Sequence, residues 1–272
     1  MTEPANLVYE SIDRQHADKS AATRRQIIGG ASALLGSMGL LGLAERAGAT
    51  HRRGHDSVNS PENIANIAAT AEVLATIVNT VGFETVPLDD VTKRNVEAAA
   101  REELIHYQVL VSDAIGAKPV TKRIWVPDSV FASRENFLNA LVIGDQIFIN
   151  AYMIGTTVFA RSTPRSGGAS PRLARIASEF MGAEAVHRAL ALQSLGKLGN
   201  DRVFMKFTQK EEADVPTRGR NGFQKITSAV KYLEEAGFGF GKQGAGPGKF
   251  YDFDTVSART PDPPAVNTRT PA

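Results

Sequence analysis

Two stretches of the chain repeat one arrangement: Glu103 is followed three residues on by His106, and Glu184 by His187. On a helix that spacing sets a carboxylate and an imidazole one turn apart on the same face. At 100° per residue Glu103 falls within about 20° of both Val96 and Leu110, inside an apolar stripe, with His106 at its edge. Glu184 and His187 fall between Phe180 and Ala191 in the same way. An inward glutamate without a partner costs several kcal/mol in desolvation or takes up a proton. A pair of divalent cations on the bundle axis gives both motifs a common role, with two carboxylates to bridge or chelate and two imidazoles as terminal ligands. Oxygen and imidazole donors suit two ions of iron or manganese, and a chain without cysteine offers no thiolate site. The competing reading is a polar core network without metal.

Two further carboxylates complete the candidate set of Glu72, Glu103, His106, Asp145, Glu184 and His187. Asp145 lies mid-stripe between Leu141 and Phe148 but is a methylene shorter than glutamate. Glu72 sits about 110° from the centre of its apolar stripe, beside Ala68, Ala75 and Asn79, where a solvated side chain is the plainer expectation. Glu102 is expected at solvent or a bundle edge. Tyr107 and Tyr152 read as core aromatics, although Tyr152, two turns from Asp145, is placed to line the site.

Four long helices must position these groups. Ser60-Pro61 reads as N-cap and first helical residue, followed by Ile64, Ile67, Ala71, Leu74, Val78 and Val81 at helical spacing until Gly82. A second helix is expected from Asp89 or Asp90 to about Gly116, a third from about Arg134 to Ala160, and a fourth from Ser170-Pro171 past Ala191. A shorter amphipathic helix is expected over about 223–236. The second and third helices are separated by roughly 17 residues, which at about 3.3 Å per residue can span a bundle's length; the other links are short enough for antiparallel neighbours. Strand-like alternation is nearly absent, so the fold class is all-α.

The N-terminus is an address. Arg24-Arg25 precedes an apolar run broken by Gly29, Gly30, Gly36, Gly39 and Gly42, and Ala47-Gly48-Ala49 offers small residues for cleavage. This resembles a twin-arginine export signal, whose machinery is then a partner; an uncleaved membrane anchor is the competing reading, and no stable span is expected after cleavage. Residues 1–49 are the signal, 50–59 a polar lead, 60–237 the helical domain, and 238–272 a flexible glycine-rich segment running into a disordered Pro/Thr tail. Gly248-Lys249 fails as a phosphate loop, because Gln243 stands where the first glycine is required. His51 and His55 read as part of the solvated lead. With 31 basic and 29 acidic residues the chain gives no electrostatic reason to bind nucleic acid.

The stretches Ala71-Glu72-Val73-Leu74-Ala75, Glu102-Glu103-Leu104-Ile105-His106 and Gly182-Ala183-Glu184-Ala185-Val186-His187 resemble the bacterial ferritin-like domain family that includes the desiccation-related proteins. Ala229-Val230-Lys231-Tyr232-Leu233 is similar to that family's fifth helix. The resemblance spans about residues 60–236. It implies a ferritin-like four-helix bundle with one long crossover and an additional C-terminal helix, with Glu72, Glu103, His106, Glu184 and His187 at ligand positions and Asp145 where classical members carry glutamate. It does not imply one reaction. Two functions follow as expectations: an exported di-iron or di-manganese protein that reacts with oxygen or peroxide in the periplasm or at the cell surface, or a non-catalytic exported stress protein that keeps the fold. The sequence leaves assembly into oligomers open.

Overall fold

Helix starts are written locally. Ser60 accepts a hydrogen bond from the Asn63 amide at 3.2 Å, with Pro61 opening helix α1 (Pro61–Thr85). Asp89 accepts from the Thr92 amide at 3.0 Å and from its hydroxyl at 2.7 Å, opening α2 (Asp90–Val111). Ser133 accepts from the Asn136 amide at 3.1 Å and opens α3 (Arg134–Arg161). Each satisfies one of the orphan donors of a helix N-terminus. The fourth helix, α4, spans Pro171–Ser194. The computed structural model describes residues 58–162, 171–200, 205–206 and 220–263. The expected export signal, most of the polar lead with His51 and His55, Ser170 and the last nine residues lie outside the described residues.

Two boundaries differ from expectation. Gly82 does not stop α1, because it is there for packing: a Cβ at this position would collide with the Phe137 ring of α3. The second helix ends five residues early, where the Ser112 hydroxyl takes the Val109 carbonyl at 2.7 Å and Gly116, at φ 71°, closes the turn.

Contacts at the helix ends fix their directions. Arg134 at the start of α3 reaches Asp89 at the start of α2 (3.0 Å) and the Ser194 carbonyl at the end of α4 (2.6 Å), while Phe137 meets Gly82 near the end of α1. At the opposite end Gly155 of α3 adjoins Ile64 of α1 and Ala177 of α4. So α1 and α4 run one way, and α2 and α3 the other. Because α2 and α3 are parallel, the chain between them must traverse the bundle. Lys118 and Val120 hold the start of that traverse against α1, through Asn66 Oδ1 (2.7 Å) and Thr70 Oγ1 (2.9 Å).

The molecule is mostly helical, but the all-α expectation needs a correction. The traverse contains β1 (Arg123–Pro127) and a 3-10 turn (Asp128–Phe131). After a two-residue parallel bridge between β2 (Met205–Lys206) and β3 (Arg220–Asn221) and helix α5 (Ile226–Glu235), the chain returns as β4 (Gly239–Phe240) and β5 (Gly248–Asp252), which flank β1 antiparallel on both sides. Residues 238–263, expected as a flexible segment and tail, are therefore ordered. Trp125 meets Phe250 edge-on at 5.2 Å, and Arg123 lies over the same ring at 3.9 Å. A short helix, α6 (Phe253–Ser257), then packs along α1, where Thr260 meets the Thr80 hydroxyl at 2.9 Å and Arg259 meets Glu84 at 2.7 Å. Strands of two to five residues containing glycine and proline carry too little alternation to be seen in sequence.

Helix α5 is shorter than expected because the residues before it are spent on two asparagines. Asn150 of α3 exchanges both amide hydrogen bonds with the Phe223 backbone (2.8 and 3.0 Å), and Asn59 accepts from the Ile226 amide at 2.8 Å. Both α1 and α3 are long and apolar enough to cross a membrane, yet most of α1 and the larger part of α3 are covered by the rest of the chain.

A Cβ on Gly248 would lie 2.5 Å from the Val126 carbonyl oxygen and 2.8 Å from Trp125 Nε1, so β5 pairs with β1 only through glycine. Gly248→Ala is expected to destabilise the protein by about 1–3 kcal/mol, as overpacking does. The urea midpoint reads this at unchanged helical circular dichroism; an undisturbed midpoint contradicts the clamp.

Candidate metal centre

Carboxylates and an imidazole from three helices converge inside the bundle. Glu72 of α1, Glu103 and His106 of α2, and Glu184 of α4 are all buried, and one donor atom from each lies within 4.8 Å of all the others. His106 Nδ1 stands 3.4 Å from Glu103, 3.6 Å from Glu72 and 3.7 Å from Glu184. Glu72 Oε2, Glu103 Oε2, His106 Nδ1 and both oxygens of Glu184 are buried without a hydrogen-bond partner. These spacings are too long for good hydrogen bonds. They are close to the roughly 3.0–3.4 Å that separates neighbouring ligands on one ion with bonds near 2.1 Å. The donor set therefore fits a divalent cation.

His187 extends the cluster on the other side. Its Nδ1 lies 3.1 Å from Glu103 and 3.9 Å from Glu184, and its Nε2 lies 2.5 Å from Glu102 Oε2. The half-buried Glu102 thus does more than face a bundle edge: it turns the inner nitrogen of His187 toward the carboxylates, as an outer carboxylate does for a metal-bound imidazole. Sequence reasoning set Glu102 aside because its partner sits on a different helix. The one signal it carried was adjacency to Glu103.

Glu72 corrects the helical-face expectation. It is fully buried because α1 is covered nearly all round by α2, α3, α5, α6 and β1, so no face is left for a solvated glutamate. Tyr152 donates its hydroxyl to Glu72 Oε1, and its ring meets Phe180 edge-on at 5.6 Å. Phe180 in turn stacks on His106 with centroids 4.0 Å apart. The two aromatics hold both groups in place. Asp145 is buried on α3, with Oδ2 lacking a partner, but it falls outside the four-residue group and lies beside His187.

Electrostatics follow from this crowding without water. Burial and the Glu103 charge push Glu72 up to about 7. Burial also raises Glu184, with the Glu103 charge adding to it, and raises Asp145 well above the carboxylate range. Burial acts on Glu103 in the same sense, but the close imidazoles of His106 and His187 outweigh it and hold that carboxylate low. Burial opposes the imidazolium of His106, yet Glu72 and Glu103 raise it to about 10; His187 is raised well above its usual value by Glu102 and Glu103. Without a cation, protons carry the positive charge that the carboxylates demand.

Comparison of the chain with protein-family models, with characterised proteins and with solved structures finds no match. The functional reading rests on this geometry.

A pH dependence follows. Glu72 titrates near 7 when folded against an ordinary 4.5, so its contribution to stability is full below about 4.5 and is lost as pH rises through 7. His106 behaves alike, contributing fully below its ordinary 6.5 and losing that contribution as pH rises through about 10. Chelator-treated protein should therefore unfold at progressively lower temperature from about pH 5 to pH 9. Protein loaded with Mn2+ should lose less, because the cation replaces the protons. A midpoint that climbs over that range in metal-free protein contradicts this account.

Proposed function

We propose that the chain is an exported, ferritin-like di-metal carboxylate protein that binds iron or manganese and reacts with oxygen or peroxide outside the cytoplasm. One observation carries the reading: His106 Nδ1 stands 3.4–3.7 Å from three buried carboxylates, and this nitrogen, Glu72 Oε2, Glu103 Oε2 and both oxygens of Glu184 have no hydrogen-bond partner. The helix directions, with a single long traverse between parallel α2 and α3, support a ferritin-like connectivity. The arginine pair and apolar run at the N-terminus support the export route.

Glu72, Glu103, His106 and Glu184 would hold one ion; Glu103, Glu184 and His187, joined by Asp145, would hold the second. Such ions, when bound, supply redox cycling between oxidation states toward oxygen or peroxide. The chain's own residues bind, orient and exclude. Glu102 takes the outer N–H of His187 and frees Nδ1 to face the ions. Tyr152 fixes the rotamer of Glu72. Phe180 keeps water from His106 and sets the plane of its ring. Both imidazoles must give up a proton before they ligate, so loading releases protons.

A second reading has an observation of its own. The compact group contains four residues, and Asp145 falls outside it, which favours one structural ion in a non-catalytic exported stress protein.

Protein exported by its own signal decides between them. The proposal expects about two iron or manganese ions per chain by elemental analysis, consumption of peroxide, and at least a 100-fold loss of turnover with loss of metal in a Glu103→Ala, Glu184→Ala variant. One ion without turnover supports the second reading. Metal-free protein whose stability the double variant leaves unharmed overturns both.

A further inference from the structure

Beside the Glu/His cluster lies a cavity of about 20 Å³, lined by Asn79, Thr92, Asn95, Asp145, His187 and Ser194 together with aliphatic side chains of α2, α3 and α4. That is room for one water or one ion. Asn79, Asp145 and His187 are buried, whereas Asn95 and Ser194 are half-buried and form its outer part. Two of its lining residues, both more than nine-tenths buried, carry an oxygen without a hydrogen-bond partner: Asn79 Oδ1 and Asp145 Oδ2. The orientation of Asn79 is fixed: its Nδ2 donates to the Ala75 carbonyl at 3.1 Å, so the free atom is the acceptor. Nor does the Thr92 hydroxyl serve these oxygens, being engaged with Asp89 at 2.7 Å and Ser194 at 3.0 Å.

A small cavity bordered by two residues with unpartnered hard oxygen acceptors suits a hard cation or a water better than an apolar guest. The one buried guanidinium acting on Asp145, that of Arg188, does not line the cavity. His187 does line it, and its Nδ1 is 3.1 Å from Glu103, so the cavity abuts the cluster directly. On the opposite side the cluster is backed by apolar surface, with Phe148, Tyr152 and Phe180 walling a second cavity of almost wholly aliphatic and aromatic lining. Of these two cavities, only the polar one suits an ion that keeps part of its hydration shell.

We infer that this cavity is the inlet of the centre, where Asn79 and Asp145 take a partly hydrated divalent cation from solvent and pass it by His187 to the carboxylates. The inference rests on the metal-binding reading and adds to it a residue, Asn79, that belongs to neither ion's ligand set.

The test is a rate. Full-length protein is stripped with chelator and mixed anaerobically with Co2+, and loading is followed by its visible absorption in a stopped-flow cell. Asn79→Leu is expected to load at least tenfold more slowly than the natural chain, to the same final stoichiometry and spectrum. Asn79→Asp, which keeps an oxygen and adds charge, should restore the natural rate or exceed it. Asn95→Phe narrows the outer part without touching a buried residue and should slow loading as well, which keeps the test valid if Asn79→Leu folds poorly. Natural loading rates in both Asn79→Leu and Asn95→Phe overturn the inlet and assign the cavity to a bound water, while leaving the centre intact. If the unaltered protein takes up no Co2+, the metal reading itself falls.

Discussion

Buried carboxylates that face each other are the constraint on which this molecule is organised. Each ionised group removed from water without compensation costs several kcal/mol, and a domain has only about 5–15 kcal/mol of net stability. Glu72, Glu103 and Glu184 are each wholly buried, and Asp145 is nearly so. They persist only with positive charge among them. His106 and His187 supply part of it, and the raised Glu72, Glu184 and Asp145 show that protons supply the rest in a metal-free interior. A divalent cation could do the same work with the two imidazoles neutral, using the oxygens and nitrogen that have no hydrogen-bond partners.

The fold is built to keep those groups at fixed separation. Helices α1, α2 and α4 bring Glu72, Glu103, His106 and Glu184 together, and because α1 and α4 run opposite to α2 and α3, one chain segment must run the length of the bundle. That segment would be an exposed loop if left alone. Instead β1 is paired on both edges by strands from the C-terminal part of the chain, and Asn150 and Asn59 fasten the backbone that leads to α5. Aromatic rings complete the support: Phe180 touches both His106 and Tyr152, and Tyr152 holds Glu72. Few rotamers remain open to the ligands, which is what a pre-formed site requires.

Much of this was legible in the residues. The angular position of Glu103 and Glu184 within apolar stripes places them inward, and both are buried; Ser60 and Asp89 cap where their residue types lead one to expect. Other features had no signal of sufficient length. A single apolar stripe on α1 leaves Glu72 on the solvent side, whereas the helix is covered nearly all round and has little polar face to read. The β1 partners are two and five residues long and rich in glycine, too short for alternation to register. Glu102 acts through an atom of another helix, His187 Nε2, and no pattern within its own helix reports that. Gly82 was read as a stop by its identity alone; the Phe137 ring that occupies its side-chain space comes from a helix more than fifty residues on.

Anomalous diffraction at the manganese or iron edge, from crystals of the loaded protein, addresses the centre most directly. The account predicts a peak within bonding distance of Glu72, Glu103, Glu184 and the Nδ1 of His106, in the middle of the bundle. Loaded crystals with no anomalous peak between the four helices, or with peaks only at surface carboxylates, would contradict it.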